Sequence, residues 1–102
     1  MDIEAIAMEL VGNAGESRSL AFEALAEAKK GNYDKAEDKL KDSKKSILKA
    51  HELQTELIVK EADGEKMELG LLMVHAQDHL MTSMLARDLI SEMVEMYKGG
   101  VR

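Results

Sequence analysis

The chain of 102 residues has no cysteine, no proline and no tryptophan, and it has only three aromatic residues. Without cysteine it can form neither a disulfide bond nor a thiolate metal site, which fits a reducing compartment. No apolar run approaches the length of about 18 residues that a membrane-spanning helix needs, and no basic segment leads into an apolar one at the start. The sequence therefore predicts a protein that neither inserts into a membrane nor follows a signal-peptide route.

Positive charge is also scarce. Asp and Glu number 20 against 14 Lys and Arg, which gives a formal net charge of -6. Nucleic acids and anionic membranes repel such a chain, so neither is expected as its main partner.

Helix-forming residues are abundant instead. Ala, Leu, Glu, Lys and Met dominate, and 33% of the residues are charged. This composition predicts an all-α fold, and the length predicts one domain over residues 1–102.

Apolar residues recur at spacings of three and four, which predicts three helices at about residues 3–30, 33–62 and 66–97. Gly31-Asn32 supplies the first break, with Asn32 as the expected N-cap of the second helix, and Ala62–Glu65 supplies the second break. Short connections make neighbouring helices antiparallel, so the expected fold is an antiparallel three-helix bundle.

The second predicted helix has a seam of core residues at seven-residue spacing, close to that of a coiled coil. The seam consists of Tyr33, Ala36, Leu40, Ser43, Ile47, Ala50, Gln54 and Leu57. Lysines mixed with acidic residues between these positions predict a solvated face, and His51 is expected to be a plain surface residue. In the first helix, Gly12 and Gly15 each weaken the helix by roughly 1 kcal/mol relative to alanine. They mark either a bend or a close helix approach.

The third predicted helix carries a stretch, residues 71–84, that is apolar on nearly every side yet contains His75, Asp78 and His79. A helix that is apolar all round must be buried all round. Because a three-helix bundle leaves one side of each helix facing water, the remaining burial must come from other copies of the chain. The sequence therefore predicts a homo-oligomer.

His75, Asp78 and His79 project toward one side of a helix, and this arrangement has three interpretations. The histidines are hydrogen-bonded core residues, or they form a metal site within one chain with Asp78 as the third ligand. In the third interpretation, an imidazole is a nucleophile. A neutral imidazole attacking a phosphoryl group would form a phosphohistidine, and a donor such as Gln77 or protonated His79 could offset part of the new charge.

The third helix resembles the signature of a known family. Leu-Met-Val-His-Ala-Gln-Asp-His-Leu-Met-Thr-Ser, residues 72–83, resembles that of the IIA components of the lactose/cellobiose branch of the bacterial phosphoenolpyruvate-dependent sugar phosphotransferase system. Residues 12–25 resemble the same family, as do the length and the three-helix outline. The resemblance covers essentially the whole chain, and its five-residue core, residues 75–79, is specific.

The resemblance implies a role for each residue of the motif. His75 would accept a phosphoryl group from the phosphohistidine of the carrier protein HPr and pass it to a cysteine of a IIB protein, with the membrane component IIC acting indirectly. Asp78 would bind a divalent ion, expected to be one Mg²⁺ per trimer, shared by three subunits on the axis of a homotrimer. Gln77 and His79 would be supporting neighbours in the active site.

Electrostatics gives a second reason to expect an ion or a proton at Asp78. If three copies of the helix meet on an axis, each pair of carboxylates about 4 Å apart costs roughly 4 kcal/mol at an effective dielectric constant near 20. Proton uptake or a hard cation must relieve that repulsion.

The expected function is that of a cytoplasmic phosphocarrier for uptake of a β-linked disaccharide. A IIA protein touches HPr and IIB rather than the sugar, so lactose, cellobiose, chitobiose and other β-glucosides are equally compatible with these residues. His75 must be reachable from outside, which predicts a position at a groove between subunits. The alternative function is a non-enzymatic helical oligomer with a buried structural metal site at His75, Asp78 and His79.

Overall fold

The computed structural model describes residues 2–99, which form three helices and no strand: α1 (Ile3–Lys29), α2 (Tyr33–Ala62) and α3 (Leu71–Gly99). The bundle is elongated, with extents of 51 × 19 × 19 Å. In the described part of the chain, no helix is long and apolar enough to cross a membrane.

Neighbouring helices along the chain run antiparallel, as predicted. In the contacting pairs, residue numbers rise along one helix as they fall along the other. The pairs are Ser17 with Ser43 and Glu23 with Lys39 between α1 and α2, and Glu37 with Lys98 and Gln54 with Gln77 between α2 and α3.

The turns are built on two glycines with positive φ. Gly31 has φ 83° and Gly64 has φ 95°, a conformation that glycine adopts without the steric cost of a Cβ. After Gly31, the Asn32 N–H donates to the Glu27 carbonyl at 2.9 Å and closes the end of α1. Asn32 is the N-cap residue of α2, as predicted, but its side chain makes no capping bond to the helix, and its amide N–H donates to the Glu27 carboxylate.

The periodicity predicts that the third helix begins at about residue 66, but it begins at Leu71. Helix α2 ends at Ala62, and the chain turns at Gly64 and then runs as irregular backbone to Gly70. Met67 packs its side chain against the core from this connection, so an apolar residue at a helix-compatible spacing is partly buried without being helical. Gly70 lies directly before α3, and its carbonyl accepts the first helical bond, from the Val74 N–H, at 3.1 Å.

The core is divided into two apolar clusters. One cluster lies near the start of α1 and α3 and contains larger side chains such as Leu10, Ile47 and Leu80, whereas the other is built mainly from alanines with Leu40 and Ile90. A buried serine from each helix falls between the clusters in sequence: Ser17, Ser43 and Ser83.

Ser17 and Ser43 satisfy each other. Each hydroxyl donates to the other residue's carbonyl, at 2.8 and 2.7 Å. Because a buried hydroxyl without a partner is costly, this reciprocal pair fixes the register of α1 against α2.

The predicted seam of α2 is confirmed. Six of its eight residues are buried, and the other two, Tyr33 and Gln54, are half-buried. His51 is exposed, as predicted.

Candidate functional site

Helix α3 has an inner face that its own chain covers. These side chains are buried against α1 and α2: Met73, Ala76, Leu80, Ser83, Ile90 and Val94.

The opposite side of α3 is also apolar, but no part of the described chain covers it. We call it the outer stripe. Its members are 41% to 84% exposed: Leu71, Val74, Met81, Leu85, Leu89, Met93 and Met96. Asp78 is exposed among them. At about 100° per residue, the stripe lies within roughly 60° of Asp78 around the helix axis, so the carboxylate is at its centre.

The two motif histidines lie beside this stripe, on the flank of α3 that faces α1. His75 is exposed and His79 is half-buried. Their rings are stacked, with centroids 5.6 Å apart and planes inclined by 22°. The structure therefore brings His75 and His79 together, as their i, i+4 spacing predicts.

Helix α1 approaches His79 at Gly15. A Cβ at residue 15 would lie 3.1 Å from His79 Nε2, tighter than ordinary van der Waals contact. Of the two alternatives for Gly15, the structure shows a close approach, made by a side chain of α3.

The surroundings of His79 favour its neutral form. Burial lowers the pKa of the His79 imidazole, the nearby charges of Arg18 and His75 lower it further, and Asp78 opposes them. At neutral pH the ring is therefore mainly uncharged. It can still donate one hydrogen bond from its N–H group, but the protonated donor considered from sequence is disfavoured.

Gln77 lies on the other flank of α3, toward α2. Its Oε1 accepts from Gln54 Nε2 at 2.6 Å, and its Nε2 donates weakly to Met73 Sδ at 3.5 Å. Positions 75 and 77 point about 160° apart around a helix, so the Gln77 amide does not share a flank with His75 of the same chain. The supporting role predicted for Gln77 stays a prediction.

A metal site within one chain is not supported. Among residues 2–99, no group of three or more His, Cys, Asp or Glu side chains could hold an ion. The alternative of a buried site at His75, Asp78 and His79 is also wrong about burial, because His75 and Asp78 are exposed. The physical reason is that His75 and His79 lie together whereas Asp78, roughly 60° and 100° from them around the helix axis, lies at the centre of the outer stripe, so the three side chains do not converge.

Two residues outside the motif touch it, and sequence reasoning did not connect them with the site. These are Gly15 on α1 and Gln54 on α2. Each is visible in the sequence, since Gly15 is a helix-breaking residue inside a helix and Gln54 is an amide in a mainly apolar seam. Neither signal identified the partner on α3.

An exposed imidazole next to an uncovered apolar surface is suited to react with a group that a partner protein presents. Comparison with known proteins shows the family. The sequence matches the model of the family described as PTS system, Lactose/Cellobiose specific IIA subunit, over residues 5–98.

Individual relatives match over nearly the whole chain. The lichenan-specific phosphotransferase enzyme IIA component of Bacillus subtilis is 47% identical over 97 residues, which cover 95% of this chain and 88% of that protein. The crystal structure of the cellobiose-specific enzyme IIA from Bacillus anthracis superposes with a TM-score of 0.92 at 42% identity, covering 97% of this chain and 92% of that one. A solution structure of the chitobiose IIA–HPr complex from Escherichia coli superposes with a TM-score of 0.83 at 43% identity, covering 97% and 96%.

The chain therefore belongs to the lactose/cellobiose-specific IIA subunits of the sugar phosphotransferase system. IIA components of this system receive phosphate from HPr, so the protein is a phosphotransferase component.

Proposed function

We propose that His75 carries the phosphoryl group, accepting it from phospho-HPr and passing it to a cysteine of a IIB protein, so that the system takes up and phosphorylates a β-linked disaccharide. The main support is the exposed imidazole of His75 at the edge of the outer stripe, in a chain of the IIA family. Relatives named for lichenan, chitobiose and lactose support the cellobiose/lactose class without selecting one sugar. Such a carrier works in the cytoplasm.

The transfer needs one nucleophilic nitrogen. A neutral His75 nitrogen attacks the phosphorus of the donor's phosphohistidine, the new P–N bond forms as the old one breaks, and the donor imidazole leaves with its electron pair. In the second step a thiolate of IIB attacks the same phosphorus and His75 leaves. The chain therefore contributes position and hydrogen-bond donors, and the reactive phosphoryl group arrives already activated.

The position of His79 supports a role for it in this step. Its ring lies 5.6 Å from that of His75, centroid to centroid, within reach of a phosphoryl group attached between them. A hydrogen bond from its N–H would stabilise the oxygens that gain charge as transfer proceeds.

A homotrimer would cover the outer stripe. Seven large apolar side chains along about seven turns of α3 leave an extended apolar surface exposed on a single chain. Three copies of α3 packed about a common axis would bury the stripe, and would leave His75 and His79, which lie on its flank, at the groove between two subunits.

Asp78 would then face its two copies across the axis. Carboxylate oxygens are the ligands that Mg²⁺ prefers, so the donor chemistry of Asp78 fits one shared ion, although one chain alone does not provide a site. The ion would relieve the repulsion among three carboxylates, and no step of phosphoryl transfer passes through it.

Radioactive phosphoenolpyruvate with enzyme I and HPr tests the proposal. We expect the wild-type protein to acquire an acid-labile phosphate and His75→Ala to acquire none. His51→Ala is the matched control, because His51 is an exposed histidine on α2, and it should label like the wild type. Full labelling of His75→Ala would remove His75 from the role.

A further inference from the structure

We propose that Gly15 is a positioning residue for phosphoryl transfer. Because Gly15 has no side chain, it leaves a space on α1 that holds the His79 imidazole beside His75, and we call this space the seat. This inference rests on the proposed role of His75 as the phosphoryl carrier. It concerns a helix outside the motif, and it assigns a reason for glycine where backbone geometry gives none.

The backbone at residue 15 does not require glycine. Gly15 lies inside α1, and in the described residues only Gly31 and Gly64 have positive φ. Alanine would stabilise the helix at this point, because glycine loses more backbone entropy on folding. Some other requirement must therefore favour the smaller residue.

That requirement is space for one ring. Apart from the adjacent residues and nearby backbone of α1 itself, the His79 side chain supplies every heavy atom within 4 Å of the added Cβ, with Nε2 at 3.1 Å and Cδ2 at 4.0 Å. Gly12, one turn earlier on the same helix, would place its Cβ in open space. The two glycines therefore separate the effect of helix propensity from the effect of the contact.

An alanine at residue 15 would push the His79 ring away from α1 by a few tenths of an ångström. The ring has its stacked neighbour, His75, on the exposed side, so this displacement changes the geometry of the two imidazoles. A donor aimed at a transferring phosphoryl group is sensitive to small misplacements, and a shift of 1 Å can cost about a hundredfold in rate. For the smaller shift here, we expect Gly15→Ala to slow phosphoryl acceptance from HPr about tenfold.

The experiment compares Gly15→Ala with Gly12→Ala. Rapid-quench kinetics should show the loss of rate for Gly15→Ala and a rate within about twofold of wild type for Gly12→Ala. Both variants should melt at or above the wild-type temperature, because both remove a glycine from the same helix. In the unphosphorylated proteins, the NMR signals of the His79 and His75 ring protons should move in Gly15→Ala and stay in place in Gly12→Ala.

A double-mutant cycle shows whether Gly15 acts through His79. In the His79→Ala background, Gly15→Ala should cause no further loss of rate, since the contact is already gone. An equal loss in both backgrounds would overturn the proposal, as would a wild-type rate for Gly15→Ala.

The seat itself can be tested without any variant. In the wild-type protein, nuclear Overhauser contacts should connect the Gly15 Hα protons with the His79 ring. Their absence would refute the proposed contact between Gly15 and His79, even if Gly15→Ala failed to fold. Failure of the proposed function looks different, because His75→Ala would then still accept phosphate while the ring contacts remained.

Discussion

The two sides of α3 are made of similar residues and have different environments. Leu80 on the inner face is completely buried, whereas Leu85 in the outer stripe is 60% exposed. Residue type alone does not distinguish them, since both are leucines in one continuous helix. The inner face stabilises the monomer fold, and the outer stripe is the surface that the proposed trimer would use. His75 and His79 lie between the inner face and the outer stripe.

The largest effect is expected from placing a charged side chain in the outer stripe. Leu85→Lys should convert the proposed trimer into monomers, because three like charges would meet in an apolar interior. Sedimentation should show the mass falling threefold while the far-ultraviolet circular dichroism stays helical.

The control for this prediction is Leu48→Lys on α2, where the leucine is 49% exposed and lies off the stripe. It should leave the mass unchanged. A Leu85→Lys protein with the wild-type mass would show that the outer stripe is not the interface.

On the inner face, the expected effect falls on folding. Leu80→Ala removes a completely buried side chain from the larger apolar cluster and should lower the free energy of unfolding by about 3 kcal/mol. Urea denaturation measures this change. Ile58→Ala, at an exposed position of α2, is the control and should change stability by less than about 0.5 kcal/mol.

At the centre of the stripe, Asp78→Leu sharpens the comparison by replacing its central charge with an apolar side chain. The variant should lose divalent-ion binding in calorimetry and stay trimeric, because it replaces converging charges with apolar contacts. Asp88→Leu, an exposed aspartate elsewhere on α3, should keep the ion. Dissociation of Asp78→Leu to monomers would contradict the charge-relief account.

The smallest effect is expected on the pKa of His79, which lies on the flank between the inner face and the outer stripe. The Arg18 guanidinium contributes to the lowered pKa of His79, since a cation disfavours a second positive charge nearby. Arg18→Gln should therefore raise the pKa of His79 toward its ordinary value. NMR titration of the His79 ring protons measures the change, and a lower or unchanged pKa would show that the Arg18 charge does not contribute.

Local patterns predicted most of the fold. The seam of α2, the break at Gly31 and the three helices follow from spacing and from glycine at a left-handed position, both of which depend on near neighbours in the chain. The start of α3 did not follow, because Met67 continues the apolar pattern while its burial comes from packing of the connection against the bundle. Asn32 is the N-cap residue of α2, as the sequence predicts, but its side chain contacts the Glu27 carboxylate and does not cap the helix.

By itself, the sequence determined that α3 has more apolar surface than a lone bundle can hide, and that His75, Asp78 and His79 lie on one side of it, because helical periodicity places side chains around an axis. Only the tertiary structure decided how that side is divided: His79 against Gly15 of α1, Gln77 against Gln54 of α2, and Asp78 among exposed apolar residues. The reason is that a residue's angle around its own helix is set locally, whereas the neighbour it meets there depends on how residues far apart in the chain pack together.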